Sequence, residues 1–519
     1  MAHSFLLVLL AVLLFGGILT GVPVSFILLG APTAVALIGV MFNVFDISYL
    51  DAFPARAFGL MTNPVFLAVP LFVLMGGLLE KSDIAKRMML TAGALFGQRR
   101  GGIAYAVIIV GALLAASTGV IGATIFMLGL IALPAMLGAN YSPKLATGII
   151  CSSGSLGQII PPSVLLILLT DQISSAYQAG RRMAGDWAAE PVSVGDLFAG
   201  AILPGLLLVG LYLLYVWVVS VLRPEDCPPV ATAGAGGKAV RPGWKEVLQA
   251  LVLPLVLILL VLGSILGGVA TPTESAALGA AGALVMVALD NASTSGWRRK
   301  AFYAVLPAAF VLVLIKSFGG ANANGAMLAL GVVALGVFLF GVLLAVWQEI
   351  RKGALLVVAR ETAMMLSMLG LIVLGATMLS VVFRGLGGDA MVTEFLQNLP
   401  GGTATALLAV MAVIFLLGFV IEYVEIIFIV VPVAGPPLMA AGVDPIWLAI
   451  LISMNLQMSF LTPPFGYALF YFRTVAPPTL KTRTIYASIV PFILIQMVAL
   501  GLVAAFPAIA TWLPQVIYH

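Results

Sequence analysis

Apolar residues run along this chain in long blocks, and polar residues fall in the short gaps between them. Ten blocks have the length and continuity of a membrane-crossing helix: 5–20, 22–42, 64–80, 197–222, 247–267, 271–290, 301–320, 326–347, 363–383 and 485–510. A helix rises about 1.5 Å per residue, so roughly 20 apolar residues match the hydrocarbon thickness of a bilayer. Two further blocks, 145–170 and 446–472, are apolar but each is interrupted by a Pro-Pro pair, Pro161-Pro162 and Pro463-Pro464. Proline removes a backbone donor and disrupts the turn before it, so each pair predicts a broken helix. The stretches 103–139 and 404–440 are too long for one span and short for two full spans with a turn. Gly and polar residues near their middles predict helical hairpins that enter and leave on one side. The pattern predicts an all-α integral membrane protein.

Composition agrees. Apolar residues make up 62% of the 519 positions and charged residues 8%, where a soluble chain carries about a quarter charged residues. So little polar side chain cannot cover a water-exposed globule, whereas helices in lipid satisfy their own backbone. The net charge of +4 does not point to nucleic acid, because the basic residues sit in short loops between apolar runs. The N-terminus lacks the basic start and small-residue cleavage site of a secretory signal, so 5–20 reads as a retained span. Cys151 and Cys227 lie in different segments and give neither a disulfide framework nor a thiolate metal site. Histidine occurs only as His3 and His519, which excludes a histidine-based enzyme site within the membrane core. Gly236-Gly237-Lys238-Ala239 lacks the first glycine and the Ser/Thr of a phosphate loop, so no ATPase is expected. No cofactor is expected either.

Charge orients the spans. With an outside N-terminus and two re-entrant hairpins, nineteen of the 24 Lys and Arg fall in inside loops. Arg56, Arg181, Arg182 and Arg384 fall outside, and Lys316 lies within a span, where it is expected to snorkel outward. This is the bias the positive-inside rule requires. It places both termini in the periplasm and the Pro/Ala/Gly-rich connector 223–246 in the cytoplasm.

Spacing reveals a repeat. Pro161-Pro162, Pro143 and Pro134 recur 302 residues later as Pro463-Pro464, Pro445 and Pro436. Near the start of each half the offset is 249, matching Pro23 to Pro272 and Leu29-Gly30 to Leu278-Gly279. The 53-residue difference is an insertion between about 290 and 370, which the two apolar runs in 301–347 supply. Seven spans separate the hairpins, so the second half is inverted relative to the first. Inverted repeats with broken helices characterise secondary transporters, with the substrate at the repeat interface. The segments are then a first scaffold (1–100), a first hairpin and broken helix (101–170), a connecting loop and scaffold helices (171–290), an inserted pair (291–362), a scaffold helix (363–400), a second hairpin and broken helix (401–473) and a C-terminal helix (474–519).

Candidate chemistry sits at the hairpin turns and breaks. The first half supplies Ser117-Thr118-Gly119 and Cys151–Ser163; the second supplies Gly418–Glu425 and Asn455–Gly466. Carbonyls freed at a break suit a hard cation such as Na⁺, and the N-terminus of the next half-helix suits a carboxylate. Thr462 before Pro463 has the form of a helix start. On this reading Ser155, Gln158, Pro161 and Ser163, with Gln457, Thr462 and Pro463, face the substrate. Ser117, Thr118, Gly119, Gly154 and Gly157, with Gly418, Glu422, Asn455 and Thr462, hold Na⁺. The plainer alternative is that these small residues let helices pack closely, with Glu422 and Glu425 facing a watery vestibule. Thr271-Pro272-Thr273-Glu274 has the spacing of a capping box and reads as structural.

With these motifs in place, the chain resembles the large membrane subunit of the tripartite ATP-independent periplasmic (TRAP) transporters, in a long subfamily. The resemblance rests on Asn63-Pro64 through Glu80, Gly101–Pro162, Thr271–Gly279 and Gly418–Gly466, most specifically on Gln158–Ser163 and Leu461–Gly466. It departs from shorter members at the insertion and at the hydrophilic loop 171–196. It implies Na⁺-driven import of a small carboxylate by an elevator mechanism, in which hairpins and broken helices form a moving transport domain. It implies two partners, a small four-helix membrane subunit and a periplasmic substrate-binding protein, in a bacterial inner membrane. The nearest alternative is a stand-alone Na⁺/carboxylate carrier of similar fold; a channel is a third.

Overall fold

A computed structural model of the chain describes residues 2–96, 99–119, 121–229, 242–290, 296–319, 325–463 and 466–518. Among these residues the regular structure is helical throughout. The first third holds α1 (Ala2–Leu19), α2 (Val24–Met41), α3 (Ala52–Thr62), α4 (Pro64–Glu80), α5 (Asp83–Phe96), α6 (Gly102–Thr118), α7 (Ile121–Gly138), α8 (Pro143–Ser155) and α9 (Val164–Met183). The middle holds α10 (Val194–Leu222), α11 (Trp244–Leu266), α12 (Pro272–Asp290), α13 (Trp297–Gly319) and α14 (Gly325–Arg351). The last third holds α15 (Ala354–Gly385), α16 (Gly388–Gln397), α17 (Gly402–Leu417), α18 (Tyr423–Ala440), α19 (Pro445–Leu461), α20 (Tyr467–Val475), α21 (Thr482–Ala505) and α22 (Ala508–Tyr518). Ten helices among the described residues are long and apolar enough to cross a membrane, or eleven when α3 and α4, bent by 50° at Asn63, count as one. The all-α membrane architecture follows.

Both long stretches are helix pairs. In the first, α6 and α7 are joined at Gly119, whose φ of +60° is a left-handed conformation that glycine adopts without strain. In the second, α17 and α18 are joined by the five residues 418–422. The repeat appears in the helix boundaries: α18 begins and ends 302 residues after α7, and α19 begins 302 residues after α8. The two apolar runs of the insertion are α13 and α14.

The structure differs from the sequence reading in three places. The polar stretch 171–196 is helical as far as Met183. Its buried positions, Ile173, Ala176 and Gly180, recur at helical spacing, so its polar residues occupy one face of α9. The span expected at 363–383 extends back to Ala354, making a helix of 32 residues whose polar extension is anchored where Lys81 pairs with Glu361. The C-terminal span divides at Phe506 into α21 and α22, because Pro507 cannot continue the helix. Several expectations fall wholly or partly outside the described residues: Val120, Pro464, Phe465, the 230–241 half of the 223–246 connector, and the side chains of Thr118 and Lys316.

Internal contacts divide the chain into two compact units. One comprises residues 1–67, 165–197 and 363–459. Its core forms where glycines let helices meet: a Cβ on Gly375 of α15 would lie 2.7 Å from Leu28 Cβ of α2, and one on Gly435 of α18 would lie 2.9 Å from Ala176 Cβ of α9. The other comprises residues 68–164, 198–362 and 460–519. It contains the first hairpin with α8, and the inserted pair, which lies against α12 through a hydrogen bond from Gln348 Nε2 to the Ala288 carbonyl (3.1 Å).

Candidate functional site

The first break is built in the second of these units. Helix α8 ends at Ser155, a single 3₁₀ turn covers Leu156–Gln158, and α9 starts at Val164 after Pro161-Pro162. Every residue of 151–159 is buried, as are Pro161, Pro162 and Ser163. Close approach explains the glycines. Gly154 leaves room for Ile125 of α7, whose Cα and N would stand 3.2 Å from any added Cβ; Gly111 of α6 sits against Ser153, 2.7 Å from its Cβ on the same measure. Gly157 faces the carbonyl of Ala115 in α6, and Gly119 at the hairpin turn faces the first N–H of α9, Val164 N, at 3.0 Å from an added Cβ. The structure thus brings Ser117, Gly119, Gly157 and the start of α9 into one neighbourhood.

The polar groups there divide into spent and free. Ser117 Oγ donates to the Leu114 carbonyl (2.8 Å), Ser155 Oγ to the Ser152 carbonyl (2.8 Å) and Ser163 Oγ to the Gln158 carbonyl (3.0 Å). Tyr212 of α10 hydrogen-bonds to the Ser155 side chain and accepts from Gln496 Nε2 of α21 (2.8 Å). In contrast, Ser152 Oγ, Ser153 Oγ and both amide atoms of Gln158 are buried with no hydrogen-bond partner among the described residues. Buried polar groups are ordinarily satisfied, and the Gln158 amide, beside a helix break and a helix N-terminus, is an exception.

The second hairpin and most of its following helix lie in the other unit. Gly418 is helical (φ −63°), and its lack of a side chain makes room for Ser459 of α19, whose Cβ would stand 2.8 Å from an added Cβ. Asn455 Nδ2 donates to the Met411 carbonyl of α17 (2.7 Å), tying α19 to the hairpin. Glu422 occupies the N-cap of α18 without capping it through its side chain. Glu425 is buried one turn on, electrostatically coupled to Glu422, and its Oε2 has no hydrogen-bond partner among the described residues. Gln457 is buried here as well, whereas Thr462 and Pro463 are half-buried and belong to the unit that resumes at residue 460.

Sequence reasoning missed a polar cavity of about 350 Å³ in the first unit, where the α3–α4 bend meets α9, α15 and α18. Arg56, Asn63, Asp171, Gln172 and Arg384 line it. Asp171 accepts from Asn63 Nδ2 (2.7 Å) and Gln172 Nε2 (2.9 Å), so neutral amides satisfy its carboxylate. Arg384 Nε pairs with Asp389 (3.0 Å), while Arg56 forms no ion pair or hydrogen bond among the described residues. Two guanidinium groups in one cavity can hydrogen-bond a carboxylate. The single acid in an amphipathic helix, Asp171, was the sequence signal for this site.

Known proteins place these features in one family. Residues 9–509 match the family model of the tripartite ATP-independent periplasmic transporter, DctM component. A C4-dicarboxylate TRAP transporter large permease protein from Vibrio cholerae is 26% identical over 502 residues, covering 95% of this chain and 96% of that one. A counterpart from Rhodobacter capsulatus is 25% identical, covering 96% and 99%, and a sialic acid TRAP large permease from Vibrio cholerae is 24% identical, covering 92% and 96%. Among solved structures, the Alcanivorax borkumensis YdaH transporter superposes with a TM-score of 0.55 at 17% identity over 90% of this chain and 91% of that one, which is a likeness of fold. From its first span to its last, this chain belongs to the DctM-component family of TRAP transporters, as a large permease subunit.

Proposed function

We propose that this permease imports a small organic acid, coupled to Na⁺ and delivered by a periplasmic binding protein, in complex with a small four-helix membrane subunit. The observation that carries the substrate site is the Gln158 amide, buried and unsatisfied at the first break beside the N-terminus of α9. A carboxylate placed there would accept from Gln158 Nε2, a hydroxyl would donate to Oε1, and either would meet the N-terminal N–H groups and positive end of a 20-residue helix. The Arg56 cavity supports an anionic solute, and the solutes named for the relatives, C4-dicarboxylates and sialic acid, are acids. Na⁺ would take backbone carbonyls and hydroxyls near Ser117, Thr118, Gly119, Gly154 and Gly157 in one half, and near Gly418, Glu422, Asn455 and Thr462 in the other. Ser155, Gln158, Pro161, Ser163, Gln457, Thr462 and Pro463 would shape the substrate pocket. The inverted repeat would move as an elevator in the bacterial inner membrane, with both termini periplasmic.

The test is uptake of a radiolabelled C4-dicarboxylate into proteoliposomes holding both membrane subunits, with the binding protein added outside. Accumulation above the external level should require an inward Na⁺ gradient at fixed pH and the binding protein. Full uptake without the binding protein would identify a stand-alone carrier, and uptake that only equilibrates would identify a channel. Impermeant thiol labelling of single cysteines in 230–240 of whole cells tests sidedness, and labelling from outside would overturn it. One observation favours proton coupling as a second reading: the buried Glu425 Oε2 without a partner next to Glu422. Concentrative uptake driven by a pH gradient in Na⁺-free buffer would establish that reading.

A further inference from the structure

The inserted helix pair ends in a basic cluster that no transport role uses. Helix α13 begins Trp297-Arg298-Arg299-Lys300, and α14 ends at Arg351 followed by Lys352. The two helices run antiparallel, as the approaches of Val305 to Gly341 and of Ile315 to Gly331 show, so these five cationic residues gather at one end of the pair. Two of them share one indole. The Arg298 guanidinium carbon lies 5.4 Å and that of Arg351 4.0 Å from the centre of the Trp347 ring, and Arg298 is also 5.9 Å from the Trp297 ring.

Cation–π contact holds each guanidinium in place but leaves its charge uncompensated. Among the described residues none of the five cations forms an ion pair. Glu349, the acid within these helix ends, is buried and accepts from Gln348 Nε2 (3.4 Å), whose amide also donates to the Ala288 carbonyl of α12. Like charges brought onto one ring call for an external anion. The surface running away from the cluster states which kind: Val333, Phe340, Leu343 and Trp347 recur at helical spacing along α14 and are 63%, 55%, 66% and 41% exposed. That stripe is a lipid-facing surface, and tryptophans and arginines at its end mark the headgroup level of a bilayer. The sequence charge bias assigns this end to the cytoplasmic leaflet, where basic pockets between helices attract anionic headgroups.

We propose that the Arg298–Trp347–Arg351 cluster binds the phosphate of an anionic phospholipid, with an acyl chain along the Val333–Trp347 stripe. Neither guanidinium makes a hydrogen bond among the described residues, so the N–H groups of both are available to phosphate oxygens while the carbon of each lies over the indole.

The experiment uses the full chain with its membrane subunit, in nanodiscs of phosphatidylcholine doped with brominated phosphatidylglycerol or brominated phosphatidylcholine. Brominated phosphatidylglycerol should quench tryptophan emission at several-fold lower mole fraction than brominated phosphatidylcholine. Trp347→Phe should remove the preferentially quenched component, and raising salt from about 0.1 M to about 1 M should weaken the preference. Native mass spectrometry of Arg298→Gln/Arg351→Gln should show at least a tenfold loss of retained phosphatidylglycerol. Equal quenching by the two lipids in the unsubstituted protein, or unchanged retention by the double variant, would overturn the proposal. Displacement of the lipid by inorganic phosphate at matched concentration would also overturn it, by showing a site for free phosphate.

Discussion

The two hairpin-and-break regions occupy equivalent places in the chain, and their chemistry differs. The first turns on a left-handed glycine and packs serines and an unsatisfied glutamine into a buried break. The second turns through five residues, starts α18 with two carboxylates, and spends its asparagine on a backbone carbonyl of its own hairpin. The same 302-residue spacing therefore carries a neutral, amide-bearing region in one half and an acidic one in the other. Duplicated backbones fix where polar atoms stand, while individual side chains decide what each half can hold.

The largest expected effects test the close approaches. Gly154→Ala places a methyl against the Ile125 side chain at Cγ1 and, at 3.2 Å, against its backbone Cα and N, and Gly418→Ala places one against the side chain of Ser459. Backbone cannot yield as a side chain can, and overpacking costs about 1–3 kcal/mol. Both variants should lose most uptake in proteoliposomes. Adding Ser459→Gly to Gly418→Ala should restore thermal stability in detergent, whereas adding Ile125→Ala to Gly154→Ala should restore only part of it, because the tight approaches to the Ile125 Cα and N remain. Equal rescue in both halves would erase this distinction.

Next in size is the contrast between the two amides. Gln158→Leu removes a buried group that makes no hydrogen bond, so the protein should hold its stability or gain about 1 kcal/mol, with uptake at least tenfold lower. Asn455→Leu removes the donor that ties α19 to the Met411 carbonyl, so it should lose about 1 kcal/mol. Thermal melts read alongside uptake separate the outcomes. A destabilised Gln158→Leu would show that Gln158 is structural.

The carboxylates sharpen the comparison further. Glu422→Gln should lower uptake several-fold and raise the Na⁺ concentration for half-maximal rate, with no change in the dependence on external pH. Full activity of the unsubstituted protein without Na⁺, lost in Glu422→Gln, would transfer the coupling role to protons.

The smallest effect is expected at Tyr212→Phe. It deletes the hydroxyl linking Ser155 to Gln496, so a stability loss of about 1 kcal/mol and a few-fold drop in uptake should follow. An unchanged uptake rate would show that Ser155 needs no such support.

Much of this architecture was legible in the sequence because lipid imposes simple rules. The all-helical membrane character, the two helix pairs and the breaks at the proline pairs follow from run lengths and proline spacing. The 171–196 stretch was misread because its polar residues line a cavity inside the protein, so low hydropathy there signalled an internal polar face. Arg56 was legible only as an outside charge, since its cavity draws on α3, α9, α15 and α18, which are far apart in the chain. Gly154 and Gly418 were legible as small residues at breaks, but the neighbours that require them to be small were not.

The sequence by itself determined that this protein crosses a membrane many times, repeats itself at a fixed spacing and breaks its helices at two proline pairs. These properties depend on local composition and backbone chemistry, which each segment carries alone. Tertiary structure decided which polar atoms are spent and which are free: Ser155 is tied to Tyr212 and Asn455 to Met411, while the Gln158 amide is left without a partner. Hydrogen bonding between distant segments depends on which atoms folding brings within about 3 Å of one another, and no local pattern encodes that distance.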